Sequence, residues 1–176
     1  MGYMINSLGN LPVNPSVNLY VFVVNGDFRG THFETLDRHF AGIAESIGEH
    51  GAIVRGFSSD FSDEVCKQFL GNGVREIGDL LPALLITDAP PEAIKQNTMR
   101  LLVPLKRAEK EFGNLETFFR GLADFAQNRS PGFRRRLEHR TDWFTEASRV
   151  VELKPNFLGI SVNVNEFINK LRRKGR

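Results

Sequence analysis

Cysteine is nearly absent from this 176-residue chain: Cys66 stands alone. One thiol excludes an internal disulfide and fits a reducing compartment, so the expected location is the cytoplasm. Long apolar runs are absent too, and none approaches the ~20 residues that a membrane-spanning helix needs. The start, Met1-Gly2-Tyr3-Met4-Ile5-Asn6, has neither the basic residues nor the apolar stretch of a signal peptide, and Asn6 stands where myristoylation requires Ser or Thr. Gly-x-Ser-x-Gly, Walker and dinucleotide-binding loops are all missing. The four histidines, His32, His39, His50 and His139, show no metal-ligand spacing, so no metal and no cofactor is expected. No catalytic constellation is visible.

Charge is present but uneven. Residues 1–128 hold 11 Lys/Arg against 16 Asp/Glu, a balance of −5, whereas residues 129–176 hold 12 against 5, a balance of +7. This shift marks a boundary near Asn128–Pro131. The expected organisation is an irregular lead-in over 1–17, a domain over 18–128, and a basic extension over 129–176 packed on that domain.

Within the domain the elements alternate. Leu19–Val24 is continuously apolar and β-branched or aromatic, as a strand buried on both faces requires. Thr31 and Glu34 have the spacing of a capping box, and Phe33, Leu36, Phe40, Ile43 and Ile47 form one helical stripe. Ala52–Phe57 reads as a second strand. Ser58, Ser59 or Ser62 caps the next helix, whose early acids Asp60, Asp63 and Glu64 suit its positive end. Cys66 falls inside that helix beside Val65 and Phe69, the setting of a small buried hydrophobe.

Pro82 heads the apolar run Ala83–Thr87; proline has no N–H for a ladder and belongs at a strand's first residue. Met99–Leu105 is the next strand, and its Pro104 makes it an edge strand or one interrupted by a bulge. Lys106–Phe112 is either helix or loop. Asn114 caps a helix from Leu115 to about Gln127, with Leu115, Phe118, Phe119, Leu122, Phe125 and Ala126 inward. Beyond it, Gly132–Glu138 and Asp142–Arg149 read as short basic helices, Val150–Leu153 and Phe157–Val164 as strands, and Glu166–Arg173 as a last helix.

Strand, helix, strand, helix, Pro82-strand, strand, helix: this order, with Pro82-Ala83-Leu84-Leu85-Ile86 at its centre, resembles a thioredoxin-like domain of the thioredoxin and glutaredoxin type. The resemblance covers residues 18–128. It implies an α/β fold with a four-stranded mixed sheet, two strands parallel and an antiparallel pair at one side, flanked by helices. A mainly helical C-terminal extension follows the domain. The resemblance also implies a cis bond before Pro82, with Pro82 facing the β-strand-to-helix loop where the family keeps its redox cysteines. Here that loop reads Asn25-Gly26-Asp27-Phe28-Arg29-Gly30-Thr31-His32. It offers no attacking sulfur, so dithiol oxidoreductase activity is excluded by inventory.

Three readings of function follow. The first is a redox-inactive protein that binds another protein as a subunit or adaptor, a homo-oligomer being compatible with it. The second is a nucleic-acid-binding protein using Arg134, Arg135, Arg136, Arg140, Arg172 and Arg173, with Phe133, Trp143 and Phe144 for stacking. The third is an enzyme of unrecognised type with an anion site at Arg29, Thr31 and His32, where a helix start presents free N–H groups.

Overall fold

The computed structural model describes residues 1–26, 31–71, 74–95, 98–129 and 131–138. Five strands, β1 (Gly2–Ile5), β2 (Leu19–Val24), β3 (Gly51–Gly56), β4 (Ala83–Thr87) and β5 (Arg100–Pro104), form one mixed sheet in the order β1-β3-β2-β4-β5. β3 runs parallel to both β1 and β2, while β4 is antiparallel to β2 and to β5. Five α-helices accompany them among the described residues: α1 (Thr31–Ile47), α2 (Ser59–Leu70), α3 (Leu105–Phe112), α4 (Leu115–Asn128) and α5 (Pro131–Glu138).

The pleat of β2 builds the layers. Leu19, Val21 and Val23 face a core shared with α1, α3, α4 and α5, and Tyr20, Phe22 and Val24 face one shared with α2. Both faces are covered, which is why β2 and β4 are apolar at nearly every position. The expected inward residues of α1 and α4 are in the first core, with Phe40 partly buried against it.

Two expectations need correction. The sheet has five strands, not four, because the segment read as an irregular lead-in supplies β1. The same segment buries Leu8, Leu11 and Val17 against α2, where the Glu64 carboxylate accepts from the Ser7 hydroxyl and the Leu8 N–H, both at 3.0 Å. Four residues are too few to show a period, and their partner strand lies some fifty residues away. The Thr31–Glu34 pair also lies within the first turn of α1 instead of spanning its boundary. The Thr35 hydroxyl donates to the Thr31 carbonyl at 2.8 Å.

Other junctions match their sequence signals. The Leu81–Pro82 bond is cis. β5 is an edge strand ending at Pro104, and Lys106–Phe112 is helical. The Asn114 side chain caps α4 by accepting from the Thr117 N–H at 2.7 Å. Gly71, at φ 75°, closes α2 in the left-handed region that glycine tolerates best. α5 packs on α4 through Phe133 and Leu137, so this first part of the basic extension belongs to the core. The elements read beyond Glu138 lie outside the described residues.

Tyr20 is buried in β2, and its phenol is pushed above its ordinary value by burial, with the negative charges of Glu92 and ionised Tyr3 adding to the effect. The folded state therefore favours the neutral phenol. Its contribution to stability is complete below the unfolded value near ~10 and declines as pH rises through the folded value. Urea midpoints measured from about pH 9 to about pH 11.5 should fall less steeply for Tyr20→Phe than for the natural chain. Identical slopes would show that another group governs alkaline unfolding.

Candidate functional site

The register sets what lies at the carboxyl ends of the parallel strands. Phe22 is level with Val54, and Val24 is level with Ala83. One row beyond the ladder come Phe57, Asn25 and Pro82, and the Pro82 carbonyl accepts from the Leu105 N–H at 2.9 Å. At ~4.8 Å per strand, Phe57 and Pro82 are about 10 Å apart along this rim. Open α/β sheets bind ligands outside such strand ends.

Phe57 is 58% exposed, unusual for a phenylalanine next to a core strand. It stands where β3 ends and the chain turns into α2. A Cβ on Gly56 would lie 2.3 Å from that of Phe61, so the end of the strand is filled by α2 packing. Ser58, the N-cap position of α2, then turns the chain away. Asn25 is almost wholly buried: its N–H donates to the Ser62 hydroxyl oxygen at 3.0 Å, and its side-chain amide nitrogen has no partner among the described residues. A buried donor without an acceptor costs about 1–3 kcal/mol, so Asn25 is a strained polar point on the rim. Leu81 and Pro82 are half-buried. The Leu81 Cδ1 lies 3.3 Å from where a Cβ on Gly26 would stand, so the turn before β4 touches the loop leaving β2.

His32 and Thr31 sit at the start of α1. His32 Nε2 is 3.0 Å from a carboxylate oxygen of Glu109 on α3, so a negative group occupies this end of the helix. Both line a groove of about 880 Å³ between α1 and α4, with His39, Asn114, Glu116 and Arg120 on its walls. Arg29 lies outside the described residues. Among those residues, no group of three His, Cys, Asp or Glu side chains could hold a metal ion.

Cys66 is fully buried in the α2 core. Of the extension's arginines, Arg135 and Arg136 are exposed on α5, and the Arg136 guanidinium lies 5.0 Å above the Phe112 ring. They border a groove of about 810 Å³ that also has Glu111 and Asp124 on its walls. Arg134 is placed on α5 by its backbone alone, and Arg140, Arg172 and Arg173 fall outside the described residues. No helix among the described residues is long and apolar enough to cross a membrane.

Sequence reasoning did not single out Asn25, Phe57 or Arg55. Arg55, the one charge in β3, pairs with Asp37 of α1, and its guanidinium lies 5.9 Å and 5.6 Å from the Phe33 and Phe40 ring centres. Burial pulls its pKa below the ordinary arginine value. A lone charge in an apolar strand was the available signal. No protein-family model, curated protein or solved structure matches the chain.

Proposed function

We propose that this chain is a redox-inactive thioredoxin-like protein whose work is to bind another protein at the carboxyl rim of its sheet. The observation that carries the reading is an exposed Phe57 in one row with Pro82, beside a loop that contains no cysteine. Strand directions support the fold assignment: β3-β2-β4-β5 has two parallel strands and an antiparallel pair at one side, with Pro82 opening β4. β1 is an addition to that four-stranded set.

A protein-binding role suits the chemistry on the rim. A large apolar ring in water and a half-buried Leu-Pro turn provide apolar contact area for a partner, while the Asn25 amide is buried and offers it no contact. They provide no nucleophile and no acid–base pair. The anion-site reading is weaker because Glu109 places a carboxylate against His32. The nucleic-acid reading draws on exposed Arg135 and Arg136.

Two assays separate these readings. The protein should show no reduction of insulin disulfides with any supply of reductant. It should also fail to shift DNA or RNA in a gel at low salt. A shift that weakens steeply as salt rises would favour the nucleic-acid reading, because phosphate contacts release counterions. Measurable reductase activity would overturn the redox-inactive assignment.

A further inference from the structure

The two edges of the sheet differ. β5 carries Arg100 and ends in Pro104, which has no N–H to offer, and charge and proline are common ways of blunting an edge. β1 has neither: it reads Gly-Tyr-Met-Ile, with no formal charge at neutral pH.

Which backbone groups of β1 are free follows from the ladder. The Ile53 N–H donates to the Met1 carbonyl at 2.9 Å, and Gly2 is level with Ile53. In a parallel ladder, alternate residues turn both groups to the same neighbour. Met1, Tyr3 and Ile5 therefore bond towards β3, and Gly2 and Met4 turn their N–H and C=O groups outward. Both are exposed, Met4 at 45%. Such a row is a template for an extended backbone.

We propose that β1 pairs antiparallel with β1 of a second copy, about a two-fold axis at Tyr3, to give a continuous ten-stranded sheet. The symmetry argues for a second copy. Gly2 and Met4 flank Tyr3 equally, so Gly2 faces the other copy's Met4 and all eight outward groups form four hydrogen bonds. Side chains fit the same pairing. The space above Gly2 is closed by α1 of its own copy, since a Cβ there would lie 2.7 Å from Ala44 Cβ and 3.3 Å from Phe40 Cε1. The incoming methionine thus meets apolar groups of α1. The two Tyr3 residues form the close, non-hydrogen-bonded pair at the axis. No like charges on β1 oppose each other across it. Four-residue strands make a small interface, so the dimer is expected to dissociate on dilution.

Sedimentation of the full chain, tagged only at its C-terminus, should show mass falling from dimer towards monomer between ~200 μM and ~1 μM, the range of a weak interface. Cross-linking then tests the register. In a Cys66→Ser background, Tyr3→Cys places two thiols on Cα atoms about 4.5 Å apart, within disulfide reach, and mild oxidation should convert most chains to covalent dimer. Met4→Cys places them about 8–9 Å apart, beyond that reach, and should give little. Circular dichroism checks that both variants fold. A monomer at ~200 μM, or preferential cross-linking through Met4→Cys, overturns the proposal.

Discussion

Phe133→Ala is expected to cost about 3–5 kcal/mol, the range for removing a buried phenylalanine ring. The ring is 5% exposed and centred 5.6 Å from Phe112, 5.7 Å from Phe118 and 5.5 Å from Phe125, so it fastens α5 to both α3 and α4. Its fit has little slack. A Cβ on Gly121 would stand 3.0 Å from Phe133 Cδ2, so a glycine is what lets the ring reach the surface of α4. Alanine leaves a cavity between α3 and α4, and the Asn114 cap holds the start of α4 in place. For a chain of this size the melting temperature should fall by about 10 °C. Arg135→Ala, at an exposed position on the same helix, should stay within about 0.5 kcal/mol of the natural chain. Urea denaturation of both variants checks the pair. A loss below about 1 kcal/mol for Phe133→Ala would mean that the basic extension is separable from the body at its first helix.

That helix marks how far composition could be trusted. The jump in charge after Asn128 is real, but it does not mark where the core ends, because Phe133 and Leu137 return α5 to the body while Arg135 and Arg136 stay in water. Local signals were the legible ones. β2 is apolar at every position because both faces are covered, and α4 shows its Asn114 cap and its buried stripe in one stretch. Pro82 and Pro104 mark one strand start and one edge because a missing N–H constrains them wherever the chain goes. Cys66 was recognisable as a buried hydrophobe from its neighbours alone.

What escaped the sequence depends on distant partners. β1 is four residues long and gains its identity from Ile53–Gly56. The contact between His32 and Glu109 joins positions 77 apart, and the Arg55–Asp37 pair depends on α1 crossing β3. Phe57 looked like the last residue of an apolar strand. Its exposure follows from where the chain turns, one residue past the end of β3 and one before the N-cap position of α2. Asn25 was legible as part of a loop, yet its burial follows from the N–H bond to Ser62, which depends on where α2 packs.

Phe57→Asp should weaken binding to a protein partner by at least ~30-fold, the equivalent of about 2 kcal/mol for an interface hot spot. The ring is 58% exposed, so its loss should hardly alter the core, and a carboxylate just before α2 lies near the positive end of that helix. The effect of the substitution is therefore expected at the interface and not in folding. Cys66→Ser should bind as the natural chain does, since the fully buried thiol is part of the α2 core. The direct measurement is a titration of a binding protein captured from native lysate by the full chain, against the natural sequence, Phe57→Asp and Cys66→Ser, each checked for folding. Affinity should be unchanged for Cys66→Ser and should show the stated loss for Phe57→Asp. Full-strength binding by Phe57→Asp, or capture that depends on Cys66, would contradict a redox-inactive binding surface at the rim of the sheet.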